Sequence, residues 1–229
     1  KEWFVNFNFP GATGKMIDSE LGEIPEGWRA GKLNEILDLQ GGFVHDTKIS
    51  GKSIFKIAKM GVVDGKSWFN RNSVIGYSGE IDKKYKLQED DLIICTRDMT
   101  QDRVVIGNIA IVPGDLAISG LYAGSNTWII KSDFNKYFLF LLFREDSFRQ
   151  HIIQSSKGTT IIMITRDSFL NCDVIIPPNE SIDYIMESIS PIFKKIKNIN
   201  SKIQTLSTLR DTLLPKLMKG EVRVSGFNN

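Results

Sequence analysis

The chain holds 229 residues, 41% hydrophobic and 24% charged, with a formal net charge of +2. That length and balance exclude a disordered or fibrous chain and fit one large domain with an appended element. No apolar run reaches the roughly 18 residues of a membrane span; the densest, YFLFLLF at 137–143, runs straight into Arg144-Glu145-Asp146.

Residues 1–31 are punctuated by Pro10-Gly11, Gly14, Gly22, Pro25, Gly27 and Gly31, with Trp3, Phe4, Phe7, Phe9 and Trp28 between them. Large aromatics are costly to leave in water, so this stretch reads as an irregular arm laid over a core and anchored by Trp28. KLNEILDL (32–39) fits a short helix or a strand equally well. From 40 to 135 short apolar runs are bounded by Gly, Asn and Asp, the pattern of strands. They are SIFKIA (53–58), 73–77, DLIICT (91–96), VVIGNIAIV (104–112) and NTWIIK (126–131). Tyr137, Leu141, Phe148 and Ile152 recur near helical spacing over 135–153. The loop SSKGTTI (155–161) leads through a short helix or turn at 166–169 into a last strand, DVIIP (173–177). Pro177-Pro178 closes the domain, because neither residue can donate to a ladder.

After Asn179 the pattern changes. Ile182, Ile185, Ile189, Ile192, Ile196, Ile199, Ile203 and Leu206 step by three and four in strict alternation, a heptad stripe that continues less regularly through Leu209, Leu213 and Leu217. Pro191 should kink or interrupt this helix, and Pro215 with Gly220 should end it. A helix of about 33 residues is about 50 Å long, too long to dock wholly on a domain of this size. The stripe therefore calls for a second helix. The expected division is an arm at 1–20, a domain at 21–178, a coiled-coil spacer or dimerisation helix at 179–220 and a tail at 221–229.

Charge is unevenly divided. Residues 181–229 carry 8 Lys/Arg and 4 Asp/Glu, so +4; residues 1–180 carry the remaining 21 and 23, so −2. The body lacks the broad basic footprint common in nucleic-acid binders. Cys95 and Cys172 are isolated in apolar surroundings, which fits a reducing cytoplasm rather than a disulfide framework or zinc site. The sequence begins at Lys1 rather than Met, so preceding residues are expected, and no signal-peptide pattern is visible.

DSELGEIPEGWRAGKL (18–33) and TLSTLRDTLLPKLMKGEVRV (205–224) resemble the conserved flanks of specificity (S) subunits of type I restriction-modification systems. The first is similar to the entry into a target recognition domain, the second to the end of a conserved spacer helix, and KEWFVNFNFP (1–10) to the tail of a preceding conserved helix. EDDLIICTRDMTQDRVVIGNIAIVP (89–113) and SSKGTTIIMIT (155–165) resemble strands and loops of such a domain more loosely, and Met-Thr-Gln-Asp after Arg97-Asp98 replaces a shorter Gly-containing loop. The resemblance implies an α/β (α+β) globular target recognition domain with a β-rich core, followed by a long C-terminal coiled-coil helix. It further implies two such helices paired antiparallel, each domain reading half of a bipartite double-stranded DNA site. No cofactor is implied for this chain: partner methyltransferase (M) and restriction (R) subunits would use S-adenosylmethionine, ATP and Mg. One recognition domain with one helix is either half of a longer subunit or a half-subunit that pairs with a second copy.

The residues themselves carry no convincing catalytic or metal pattern. Pro177-Pro178-Asn179 lacks the aromatic of an adenine-methyltransferase motif, no Glu-x-Lys of a restriction nuclease occurs, and His45 and His151 have no Cys or His at ligand spacing. Asp90-Asp91 reads as a solvated turn before a strand.

Base readout needs paired hydrogen-bonding side chains, and loops on a fixed scaffold present them best. Three loops qualify. Ser155 to Thr160 offers Lys157, Gly158, Thr159 and Thr160; Thr96 to Arg103 offers Arg97, Gln101 and Arg103, with Asp98 and Asp102 to orient them or accept from cytosine N4. Lys59 to Arg71 offers Lys59, Lys66, Trp68, Asn70 and Arg71. Weaker candidates are His45 and Lys48 after Gly41-Gly42, and Tyr122, Ser125 and Asn126 in SGLYAGSN. Lys194, Lys195, Lys197 and Lys202 fit a solvated helix face or a partner contact better than a phosphate track. The bland alternatives are polar turns, surface ion pairs and, for Trp68, core packing. A protein–protein adaptor without DNA binding, or the recognition domain of a single-chain restriction-methylation enzyme, are the rival functions.

Overall fold

Leu92-Ile93-Ile94-Cys95 are buried at all four positions, which requires a strand covered on both faces. The structure is a computed structural model and describes residues 2–44 and 54–222. In chain order it contains β1 (Met16–Ser19), β2 (Gly22–Pro25), β3 (Arg29–Lys32), β4 (Asp38–Gly41), β5 (Phe55–Ala58), β6 (Val74–Tyr77), β7 (Leu92–Cys95), β8 (Arg97–Asp98) and β9 (Ile109–Ile111). Helix α1 (Gly114–Ile118), β10 (Leu121–Ala123), β11 (Thr127–Lys131), α2 (Lys136–Leu142), α3 (Asp146–Ser155), β12 (Ile162–Met163), α4 (Arg166–Leu170), β13 (Asp173–Ile176) and α5 (Asn179–Met218) follow. The chain divides into two units, residues up to Met186 and residues from Glu187 onward.

In the first unit β7 lies inside an antiparallel sheet of order β4-β11-β7-β9. Ile93 and Cys95 share a core cluster with Ala110 and Ile129 of this sheet, with Val112 just past β9, and with Ala58, Leu121 and Ala123. Those last three belong to a second sheet of order β10-β5-β6, parallel between β10 and β5 and antiparallel between β5 and β6. By the two-residue strand period Leu92 and Ile94 turn the other way. An aromatic cluster of Phe143, Phe148 and Phe169, with Trp128 edge-on to Phe169 at 6.1 Å, closes a further part of the core. A β-rich core followed by one long helix is the fold class anticipated from sequence.

Several local expectations change. Residues 16–25 form a hairpin, not an irregular arm, with Ser19 opposite Gly22 across its turn. Trp28 is nonetheless the anchor: Phe9 and Phe7 pack on it at 5.1 and 5.6 Å, and its Nε1 donates to Ser181 Oγ at 3.2 Å. Only Ile109–Ile111 of the run VVIGNIAIV is strand; Gly107, at φ +69, and the turn before it redirect the chain. The helical pattern at 135–153 is two helices, because the chain is extended at Glu145 (ψ 143) before α3 begins. Asp91 is buried rather than solvated, and accepts from Gln88 N at 2.8 Å and Lys136 Nζ at 2.7 Å. Cys95 and Cys172 are buried free thiols, and burial pushes Cys172 up to about 12. Such a thiol is inert as a nucleophile near neutral pH.

Helix α5 is 40 residues long, about 60 Å at 1.5 Å per residue. It runs unbroken through Pro191 and Pro215, where the sequence pointed to an interruption and an end. Both prolines are exposed, so the carbonyls of Glu187 and Asp211, which lose their helical donor, are within reach of water. The stop is Gly220, at φ +70: its N–H donates to Leu217 O at 3.0 Å, and Glu221 N donates to Lys216 O at 2.9 Å. That paired closure needs a left-handed residue. Gly220→Ala is expected to cost about 1 kcal/mol locally, read as faster amide exchange at Glu221 with the global unfolding midpoint nearly unchanged.

The stripe splits along the helix. Ile182 and Ile185, in the first unit, are buried, so there it is a core face rather than a seam. Ile189 is buried too, and Ile196 and Leu213 are half-buried. In the second unit Ile192, Ile199, Ile203, Leu206, Leu209, Leu214 and Leu217 are exposed, from 37% at Leu217 to 63% at Leu206.

Candidate nucleic-acid interface

Thr96 links β7 to β8: its N–H and Oγ1 both donate to Asn126 O at 3.1 Å, and its own carbonyl accepts from Ile164 N at 3.3 Å. Beyond it the loop is built around one carboxylate. Asp98 is 1% exposed and accepts from Thr100 N (2.8 Å), Thr100 Oγ1 (2.7 Å), Val105 N (2.8 Å) and Ile106 N (3.3 Å). Burial acts to raise its pKa, yet the donors from Thr100, Val105 and Ile106 outweigh it and hold the carboxyl below the usual range. Arg149 of α3 donates to the carbonyls of Ile106 and Arg103, and Arg103 Nη1 donates to Ile153 O at 3.1 Å. Arg103 and Asp98 are thus both tied into the loop itself.

The second loop is pinned the same way. Ser155 Oγ donates to His151 O at 2.7 Å and Ser156 Oγ to Ile153 O at 2.8 Å. Lys157 and Met163 exchange both backbone hydrogen bonds, at 2.8 and 2.7 Å. Gly158 sits at φ +125, and a Cβ there would meet Ile161 O at 2.0 Å, so this tight reversal accepts only glycine.

Sequence spacing could not show that these two loops are one surface. β8 and β12 pair antiparallel, Ile162 opposite Asp98 and Met163 opposite Arg97, and Gln101 Nε2 donates to Thr159 O. Arg97, Gln101, Lys157, Thr159 and Thr160 are all exposed on it. Ser125 is exposed and Asn126 half-buried beside Thr96 at the root; Asp102 is exposed at the turn.

The third loop divides. Asn70 donates to Gly61 O (3.0 Å) and Ser73 Oγ (3.2 Å) and accepts from Asn72 N (3.1 Å), so its amide is committed to the loop. Arg71 forms a two-pronged pair with Asp115, both bonds 2.7 Å, and this hydrogen bonding holds the Asp115 carboxyl below its ordinary value. Trp68, 42% exposed, lies 6.4 Å from Phe140 and beneath the Arg144 guanidinium at 5.6 Å. Lys59 and Lys66 are exposed. Asn108 Nδ2 joins this loop to the first, donating to Asp64 O and Val104 O at 3.0 Å each.

Tyr122 is core, 6% exposed and edge-on to Phe55 at 5.3 Å, on a strand buried at all three positions. His45 and Lys48 lie outside the described residues. Asn108 and Arg149 escaped sequence reading, and Asp98, expected to orient the loop's polar side chains or accept from a base, instead accepts from the loop's own N–H groups; the one local signal for that was Thr100 two residues on, an Asx-turn pattern. Among the described residues no cluster of His, Cys, Asp or Glu could hold a metal, and no helix is long and apolar enough to cross a membrane. What the surface offers is donors and apolar side chains on a fixed root, which is suited to binding.

The family model for the type I restriction modification DNA specificity domain matches residues 25–208. The chain belongs to that family. It is 27% identical to the type I restriction enzyme MjaIX specificity subunit of Methanocaldococcus jannaschii, over 98% of this chain and 51% of that protein. To the MjaVIII specificity subunit of the same organism it is 26% identical, over 92% and 50%. Among solved structures, the type I S subunit from M. genitalium matches with a TM-score of 0.55 at 17% identity, over 83% of this chain and 45% of that one. The HsdS subunit from Thermoanaerobacter tengcongensis gives 0.52 at 19%, over 93% and 54%. These two likenesses bear on the fold. The specificity-family chain spans about half the length of the relatives it matches. All three candidate loops and most of α5 fall inside the matched 25–208.

Proposed function

We propose that this chain reads one half of a bipartite site in double-stranded DNA for a cytoplasmic type I restriction-modification complex. The observation that carries the reading is the family match over residues 25–208; the joined surface of Arg97, Gln101, Lys157, Thr159 and Thr160 supports it. The chain performs no chemistry: M subunits use S-adenosylmethionine to methylate, and R subunits use ATP and Mg to translocate and cleave. The exposed stripe from Ile192 to Leu217 pairs antiparallel with the matching helix of a second recognition half, belonging either to a longer subunit or to a second copy. Helices so paired over residues 187–218, about 48 Å each, keep two recognition domains more than one DNA turn of about 34–36 Å apart.

Selection from a random duplex pool, with the methyltransferase partner present, tests this. The expected product is two short motifs separated by an unread spacer; a single contiguous motif would refute the bipartite arrangement. The near-neutral charge of residues 1–180 favours a second reading, an adaptor that holds partner proteins without touching DNA. Failure to enrich any sequence, with the complex still assembling, would establish that one instead.

A further inference from the structure

The β8–β12 pair, with the residue next to each strand toward the tip, alternates in burial. Arg97 is exposed, Asp98 buried and Met99 exposed; Ile161 is exposed, Ile162 buried and Met163 exposed. Asp98 and Ile162 are a register pair facing inward, so Arg97 and Met163, the next pair, stand side by side facing out. Met99 and Ile161 are the next residues on the other side of that inward pair, toward the tip where Gln101 is tied to Thr159. Met99, Ile161 and Met163 are 64, 40 and 43% exposed. Neither β8 nor β12 needs them for its own packing, because Ile162 and Asp98 already occupy the inner side.

We infer that the β8–β12 ribbon enters the major groove and that Met99, Ile161 and Met163 read thymine 5-methyl groups there. The inference rests on the reading that this chain binds DNA sequence-specifically, and goes further by naming the reading element and the base. β8 and β12, with Lys157 bridged to Met163 on the far edge, lie about 4.8 Å apart from neighbour to neighbour and make a ribbon narrow enough for a major groove about 12 Å wide. In that groove thymine alone of the four bases carries a methyl group, which apolar side chains detect, while a guanidinium such as that of Arg97 pairs with guanine O6 and N7. Met163 is paired with Arg97 on one side and with Lys157 on the other, and Ile161 directly follows Thr159 and Thr160 in the chain. That mixture suits a groove edge with phosphates on both sides better than the apolar centre of a protein interface. Below the ribbon the Asp98 hydrogen bonds fix its root, so the outward side chains are presented without ordering the loop on binding.

The test uses the chain assembled with its methyltransferase partner and the duplex obtained by selection. Each thymine of the half-site is replaced singly by deoxyuridine, which removes only the methyl group. At one or more positions affinity should fall about fourfold, the worth of one buried methyl. Met99→Ala or Met163→Ala, both exposed and so tolerated by the fold, should abolish that difference between thymine and uracil. Four results would overturn the inference while leaving DNA reading intact: no thymine in the half-site, uracil tolerated everywhere, both variants selecting the native sequence with native affinity, or both keeping base preference but losing the methyltransferase. A selection that enriches nothing overturns the DNA reading itself, and this inference with it.

Discussion

Asp98→Asn is expected to lower the unfolding free energy by about 3 kcal/mol, measured by chemical denaturation. The carboxylate has two oxygens at work: Oδ1 takes Thr100 N and Thr100 Oγ1, and Oδ2 takes Val105 N and Ile106 N. An amide of the same shape keeps one acceptor and turns a donor toward the other pair of N–H groups. Each buried donor left unmatched costs about 1–3 kcal/mol, and Ile106 is fully buried. In the folded fraction the loop from Met99 to Val105 loses its tie at one end, so sequence-specific DNA binding should weaken by at least about tenfold as the loop must be ordered on binding. Because hydrogen bonding holds the folded pKa of Asp98 below its unfolded value of about 3.9, its contribution is fully present above that value. It is lost as pH falls through the lower folded value. Between pH 5 and 8 native and variant stabilities should run parallel, and below about pH 4 the gap between them should narrow. A gap that stays constant into acid would show that the charge is not what holds the loop.

Strands that are apolar at nearly every position were legible in sequence. DLIICT and NTWIIK are β-branched and apolar enough that a covered strand is their one economical conformation, and they lie beside each other in the main sheet. VVIGNIAIV misled because its first half is apolar for a different reason: Ile106 and Val105 are drawn in by their hydrogen bonds to Asp98, and they form a turn. Two-residue strands such as β8 and β12 are too short for their alternation to show in sequence, and they exist only through partners 64 and 66 residues away. Pro215 misled because the helix continues through it on an exposed face, where water can reach the carbonyl it leaves without a donor.

The candidate site was legible in its residue types and less so in their roles. Arg97, Lys157 and Thr160 are exposed as their types suggest. Arg71, Arg103 and Asn70 have the same chemistry but spend it on Asp115, Ile153 O and Gly61 O. A donor that could meet a base can equally meet a carbonyl of its own loop, and composition does not distinguish the two. Met99 and Met163 pointed the other way: apolar residues in a polar loop look like noise until the register puts Met163 beside Arg97.

Ile199→Asp combined with Ile203→Asp is expected to abolish helix pairing with little effect on the first unit. Both are exposed in the single chain, so the fold loses nothing by the change. Pairing loses at least about 1.5 kcal/mol for each isoleucine no longer buried. If the partner is a second copy, four side chains are lost, about 6 kcal/mol or roughly ten-thousandfold in association. If it is the helix of a longer subunit, the loss is about half that. Light scattering of the native and doubly substituted chains at micromolar concentration separates the cases, and a native chain that stays monomeric counts against self-pairing. Salt supplies a second test with an opposite sign for the two interactions. Between 187 and 222 the helix unit carries seven basic residues (Lys194, Lys195, Lys197, Lys202, Arg210, Lys216, Lys219) against Glu187, Asp211 and Glu221. Two copies therefore repel each other, and Arg210 falls at the heptad position that follows Leu206, where an apolar residue would continue the seam. Raising salt from about 50 to 200 mM screens that repulsion, because the Debye length falls below about 10 Å, and should tighten self-pairing. DNA binding should weaken over the same range as counterions compete for phosphates. A pairing that weakens with salt would instead indicate an acidic partner helix, and would favour the other half of a longer subunit over a second copy.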